Sequence, residues 1–405
     1  MTETPLRRNR DFVLLQAGQL LSTFGSGMSS VAYPLLTLAV THSASRAGYV
    51  GAAVFVPLVL VALPAGVAAD RYDRRRLMIA ADAVGAAAVG ALALVVALGA
   101  VSFWSILAAA FVDSTAGVVF RTAQSGAFRA VVPRSQLAAA ASAAQARSAT
   151  VRLAAPPAGG ALFGVARSVP FLADACSYAF STLSLLAMRT RFQEERAEHA
   201  ERPRVREGIA YFARMPFLRA TIGMIAVSNF TFTALQLTLI VVARRQGLSG
   251  AAVGGFVALV GVTTLAGSLV SPLLRRSFAL RSILLSEFWA ALAYAAFLAR
   301  PSVYVLAGAL AVQAFCFPNT DSAIAAYSYA LIPDRLLGRA MAASNALRAA
   351  AAPLGPLAAG LLLSAVSART TVAVAMAATL VAAALGTASS AIRQAPARLD
   401  DLAPV

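Results

Sequence analysis

Long apolar runs, interrupted again and again by short arginine-bearing segments, constrain this chain more than any other feature. Crossing a bilayer takes about 20 apolar residues in a helix. Hydrophobic residues fill 59% of the 405 positions, enough for about twelve such crossings. Charged residues are 13%, against roughly 25% in soluble proteins. The expected fold class is an all-α polytopic membrane protein, since backbone polar groups in lipid must be satisfied within the protein. Spans are expected at 12–40, 48–69, 77–99, 102–131, 137–165, 168–188, 217–243, 250–273, 282–299, 302–331, 338–364 and 369–391.

Charge sets the expected topology. All 34 basic residues are Arg, and the net charge is +17. Of these, 24 fall in the loops that share a side with both termini, and six fall on the other. The positive-inside rule then puts both termini in the cytoplasm, as expected of a multi-pass protein of the inner (plasma) membrane. No nucleic-acid partner is implied. Arg7, Arg8 and Arg10 lead into an apolar run far longer than a signal-peptide core, so no cleavable signal is expected. Cys176 and Cys316 lie within spans, which argues against a disulfide or a zinc site. Abundant Ala and Arg without Lys points to a GC-rich, bacterial origin.

The polar stretch 191–207 divides six spans from six. The expected organisation is a six-helix bundle over 1–188, a cytoplasmic linker over 189–216, a second six-helix bundle over 217–392 and a tail over 393–405. Ile209, Phe212 and Met215 sit at near-helical spacing, which predicts a short surface helix before span 7. The halves repeat at an offset of about 200: Pro133 and Pro333, Gln145 and Asn345, Pro156 and Pro356, Gly160 and Gly360, Arg75-Arg76 and Arg275-Arg276. Asp82 follows Arg76 by six residues, as Glu287 follows Arg281. Such duplication is characteristic of secondary transporters, with the substrate site at the repeat interface.

Polar groups inside a membrane face a cavity or a partner. Span 1 aligns Gln19, Ser22, Ser26 and Ser29 on one helical face. Span 4 aligns Asp113, Gly117, Arg121 and Gln124, and span 7 aligns Asn229, Thr233 and Gln236. Span 10 carries Gln313, Phe317 and Asp321. Phe24, Tyr33, Phe230, Phe232 and Phe317 would add apolar or stacking surface. A carboxylate in mid-span costs about 2.5–3.5 kcal/mol on insertion scales, so Asp113 needs a role. That role is either proton or substrate handling, or a structural ion pair with Arg121 or Arg147. Asp321 is the second candidate for proton coupling, and a latch between it and Arg121 is a further option. Asp82 and Glu287 are expected to pair with the adjacent Arg clusters, and Asp174 to anchor packing.

The segment Gly66-Val-Ala-Ala-Asp-Arg-Tyr-Asp-Arg-Arg-Arg76 follows the pattern G-x-x-x-D-R-x-x-R-R. It resembles the loop between helices 2 and 3 of the major facilitator superfamily. Gln16 to Ser22 with Gly25, Phe120 to Pro133, Pro156-Pro-Ala-Gly-Gly160 and Arg206 to Arg219 resemble its efflux branch, which includes enterobactin-exporter-like and macrolide-efflux-like proteins. Two positions depart from that pattern. Ser26 stands where members often carry Asp, and Ala155 replaces a Gly before the helix 5 motif.

The resemblance implies twelve helices in two pseudo-symmetric six-helix bundles, with helices 1, 4, 7 and 10 lining a central cavity. It implies a gate in which Gly66 lets helices 2 and 11 approach and Asp70 caps helix 11. Arg71, Arg75 and Arg76 would pair with Asp73 and Asp82, and Pro156, Gly159 and Gly160 would bend helix 5 against leak. The function implied is export of a small amphipathic molecule (a drug, an antibiotic or a siderophore-like compound) by proton antiport with alternating access. The expected partners are a small-molecule substrate, protons and lipid, with the protein acting as a monomer. An importer, or a non-transporting receptor or scaffold, is the alternative reading. The sequence carries no nucleotide-binding loop, metal cluster or catalytic triad, so neither an enzyme nor a cofactor is expected.

Overall fold

The computed structural model describes residues 6–190, 192, 215–332, 341 and 344–394. The described residues are helices and short connections, with no strand among them. In chain order the α-helices are α1 (Arg10–Thr41), α2 (Ala44–Leu60), α3 (Ala62–Arg71), α4 (Arg74–Ala97), α5 (Phe103–Val131), α6 (Leu137–Val165) and α7 (Val169–Ala187). They continue as α8 (Pro216–Arg245), α9 (Gly250–Ser277), α10 (Leu280–Trp289), α11 (Ala295–Ala299), α12 (Val303–Leu331), α13 (Leu354–Ala365), α14 (Ala368–Ala388) and α15 (Ser390–Arg393). The expected surface helix and most of the linker lie outside the described residues, as do positions 395–405.

Helix starts follow local chemistry. The Asn9 side chain accepts from the Phe12 amide at 3.1 Å and donates to the Val131 carbonyl at 3.0 Å. It thus caps α1 and ties it to the end of α5. Ser43 caps α2 and Asp73 caps α4, the latter by accepting from the Arg76 amide at 2.9 Å.

Among the described residues nine helices are long and apolar enough to cross a membrane, or ten with the bent pair α2 and α3. The two other long helices, α1 with 32 residues and α6 with 29, are less apolar, so the expected twelve is supported approximately. The second expected span, 48–69, is two helices meeting at 47°. Pro64 explains the break, because its ring excludes the Leu60 carbonyl and it has no N–H to donate. The ninth is interrupted by a 3-10 stretch at Ala290–Tyr294. Large apolar side chains such as Leu98, Trp104 and Leu269, each about 71–72% exposed, form the lipid-facing surface that such helices require.

The chain divides into two compact units, residues 1–198 with 247–258, and 199–246 with 259–405. The first holds a core of Phe12, Leu15, Met78, Phe120, Leu185 and Phe192. The second is centred on Leu218, Leu284, Phe288 and Tyr327. Cys176 and Cys316 are free thiols.

Candidate functional site

The first unit gathers a polar network from three helices. α1 presents Ser26, Ser29, Ser30 and Tyr33 on successive turns, α5 presents Asp113, Ser114, Gly117 and Arg121, and α7 presents Asp174, Ser177 and Tyr178. Asp113 is buried, and its carboxylate accepts Tyr178 Oη at 2.7 Å on one oxygen and Tyr33 Oη at 3.1 Å on the other. Tyr178 Oη also lies 3.2 Å from Ser26 Oγ. A second buried carboxylate, Asp174, accepts Ser29 Oγ at 2.6 Å and Ser177 Oγ at 3.3 Å. Gly25 makes this possible, since a Cβ there would overlap Asp174 and Ser177.

Beside the network is a cavity of about 220 Å³. Ser26, Ser30, Tyr33, Asp113, Gly117, Arg121 and Tyr178 contribute its polar or open wall, and Val54, Phe55 and Leu58 of α2 its apolar wall. Drug-sized pockets run about 300–1,000 Å³, so this space fits a fragment or one end of a larger molecule. Among the described residues no group of His, Cys, Asp or Glu is arranged to hold a metal ion.

Several expected pairings are corrected by this geometry. Asp113 takes two tyrosine hydroxyls instead of Arg121 or Arg147, because Tyr33 and Tyr178 reach it from both sides; Arg147 donates to Gln16 Oε1 at 2.6 Å. Gln19 and Ser22 are buried and lie outside the cavity wall. Their face of α1, with Gly18 and Gly25, packs against α7. Gln124 is half-buried one turn beyond Arg121, also outside that wall.

In the second unit the expected stripe residues bind neighbouring helices. Asn229 Nδ2 donates to the Arg348 carbonyl at 3.0 Å, and Thr233 Oγ1 to the Ala352 carbonyl at 3.1 Å. Gln313 is buried and accepts Tyr294 Oη at 2.5 Å. Phe317 stacks on Phe232 with centroids 6.1 Å apart, near half-buried Gln236. Asp321 forms an ion pair with Arg348 of its own unit.

Within the first unit, several residues of the expected gate have other partners. Asp70 is exposed and lies 3.6 Å from Arg74. Arg75 donates to the Leu186 carbonyl at 2.9 Å, and Arg71 and Arg76 are exposed. Asp73 is a helix cap, and Asp82 is buried with neither oxygen hydrogen-bonded to a described residue. It sits two turns into α4, out of reach of the cluster at the helix start. Glu287 likewise accepts from Ser228 rather than from its neighbouring arginines. A Cβ on Gly66 would meet nothing within 4 Å among the described residues. Pro156 lies inside α6, where Gly159 packs against the Met28 backbone and Gly160 against Gly250, both within the first unit.

The role of Tyr178 is absent from the sequence reading, although it follows Asp174 by one helical turn. The polar stripes legible in the sequence lie on the first helix of each three-helix unit, whereas Tyr178 enters from span 6. Arg348 and the apolar wall of α2 escaped for the same reason.

The chain matches the family described as transmembrane secretion effector (MFS_3) over residues 2–402. Over 88 residues it is 41% identical to the multidrug efflux pump Tap of Mycobacterium tuberculosis and of Mycobacterium bovis. That match covers 22% of this chain and 21% of Tap, so the chain spans about a fifth of the curated relatives' length. Its fold is similar to that of a bacterial homologue of the lysosomal transporter Spinster (TM-score 0.76, 16% identity, 96% of this chain and 98% of that one). It is equally similar to the nucleoside transporter NupG (TM-score 0.77, 11% identity, 95% and 99%). The efflux-pump likeness is confined to that short segment, whereas the family match and the fold run through nearly the whole chain. The chain therefore belongs to the transmembrane secretion effector family of the major facilitator superfamily, a family of multi-pass membrane proteins.

Proposed function

We propose that the protein exports a small amphipathic molecule across the inner membrane by proton antiport with alternating access. The observation that carries this reading is Asp113: a buried acid in a spanning helix, held by two hydroxyls and by no salt bridge, at the wall of a cavity. A carboxyl group in such a place gains and loses a proton without breaking an ion pair, and its two states bind the tyrosine hydroxyls differently. The short likeness to Tap favours export over import. In this reading both termini are cytoplasmic and one chain suffices. The bundles over 1–188 and 217–392 move against each other, and Asp321, held by Arg348, has a secondary part in coupling.

Proteoliposomes with an imposed pH gradient test this. Wild-type protein drives uphill movement of cargo against inward proton flow, and Asp113→Asn retains downhill exchange but loses the driven component. Driven transport that survives the substitution removes Asp113 from coupling. Cargo moving with the proton gradient instead of against it makes the protein an importer.

A further inference from the structure

The hydrogen-bonding capacity of the first-unit cavity is strongly one-sided. Ser26 donates to the Ser22 carbonyl, Ser30 to the Gly27 carbonyl and Ser114 to the Val54 carbonyl. Tyr33 and Tyr178 both donate to Asp113. The hydroxyl donors that line this space are therefore occupied, and each oxygen of its carboxylate already accepts one hydroxyl. Arg121 remains. Its guanidinium folds back toward Gly117, whose missing side chain leaves the room, and it is exposed. Among the described residues it makes no hydrogen bond or salt bridge. Arg147 and Arg348, also within expected spans, do have partners, in Gln16 and Asp321.

Arginine stays charged and carries five N–H donors in a planar fork that suits a carboxylate. Asp113 attracts this guanidinium without a hydrogen bond; leaving its donors without an acceptor within a membrane is costly, so the acceptor is expected to arrive with a ligand. An ammonium group would meet the opposite situation, with the acid covered by hydroxyls and a guanidinium nearby.

We infer that the cargo is an organic anion whose carboxylate, or similar singly charged acidic group, pairs with Arg121 while its apolar part lies against Val54, Phe55 and Leu58. This deepens the transport reading above and rests on it.

Three probes of one shape and different charge test it: 1-naphthoate, 1-naphthamide and 1-naphthylmethylammonium. Equilibrium binding to the full chain in lipid nanodiscs is expected to favour naphthoate at least tenfold over the other two. Arg121→Gln is expected to lower naphthoate to the level of naphthamide, and Arg121→Lys to keep part of the preference. Naphthamide affinity that stays within twofold shows that the variants are folded. Overturning results are ammonium or amide binding as tight as naphthoate, no naphthoate binding, or a preference that survives Arg121→Gln. Gradient-driven flux separates the two readings. Flux of naphthylmethylammonium without naphthoate overturns the anion inference and leaves export standing, whereas flux of naphthoate that is indifferent to the proton gradient overturns antiport alone.

Discussion

Each unit carries an aspartate and an arginine within expected spans, yet the two pairs behave differently. In the second unit Asp321 and Arg348 meet directly and cancel. In the first, Tyr33 and Tyr178 occupy Asp113, and Arg121 is left facing a cavity. The difference lies in what the neighbouring helices supply. α7 brings a phenol to Asp113, and α1 brings another from the opposite side. Among the described residues no such phenol separates Asp321 from Arg348. A duplicated scaffold thus holds a neutralised pair in one half and a divided pair in the other. In the proposed mechanism, the divided pair supplies separate places for a proton and an anion.

The comparison can be broken most directly by charge removal. Asp113→Asn should reduce gradient-driven flux by at least about a hundredfold, or about 2.7 kcal/mol. Asp321→Asn should stay within about tenfold, since exposed or half-exposed pairs contribute only about 0–1 kcal/mol. Equal losses in proteoliposome flux would erase the distinction between the halves.

The halves agree in packing where they differ in charge. A Cβ on Gly159 would run into the Met28 backbone of α1, and one on Gly355 into Phe230 and Thr233 of α8. Gly159→Ala and Gly355→Ala should each destabilise by about 1–3 kcal/mol through overpacking. Gly66→Ala, with open space around it, should be neutral or stabilise by up to about 1 kcal/mol. Thermal melts in detergent check all three, and tolerance at Gly159 alone would end the parallel.

A smaller effect sharpens the account of Asp113. Tyr178→Phe removes its 2.7 Å donor and should cost about 1.5–3 kcal/mol if the acid is charged, or about 0.5–1.5 if it is neutral. The size of the loss in the melting transition at neutral pH therefore reports the protonation state.

The smallest effect concerns Asp11, at the edge of the first unit just before its expected span. It accepts the Arg189 amide at 3.1 Å and the Thr190 amide at 2.7 Å, with the Thr190 hydroxyl at 2.5 Å. Burial pushes this carboxyl up, but the Thr190 hydroxyl, these amides and Arg10 together hold it below the usual carboxylate range. A lowered value in the folded state means that the charged form stabilises the fold above the unfolded value of about 3.9. That contribution disappears as the pH falls through the folded value. The melting difference between wild type and Asp11→Asn should be full at pH 7 and shrink below about pH 4. A difference constant with pH would show that the contacts, not the charge, matter.

Much of the scaffold was legible in the residues. Apolar runs about 20 residues long gave spanning helices, and Asn9, Asp73 and Pro64 mark two helix starts and a bend by chemistry local to each. Asp113 was legible as well, because a mid-span acid is costly wherever its helix lies. Its partners were not. Helical periodicity places Gln19, Ser22, Ser26 and Ser29 on one face but does not say whether that face meets water or α7. Small residues at Gly18 and Gly25 were the available signal, since they allow a neighbour's polar groups to come close. Asp82 misled for a related reason, as proximity in sequence to Arg74, Arg75 and Arg76 took no account of the two turns of helix between them.

Periodicity, hydropathy and arginine placement by themselves determined that this chain is a bundle of membrane-crossing helices with an acid and an arginine in each half. These properties are written along single helices, where each residue's position follows from its neighbours in the chain. That Asp321 meets a cation was decided where α12 packs beside Arg348, and that the Arg121 guanidinium has no salt bridge, where α1, α5 and α7 pack together. Contacts between residues on different helices depend on helix rotation and tilt, and those are fixed by the fit of side chains across the interface.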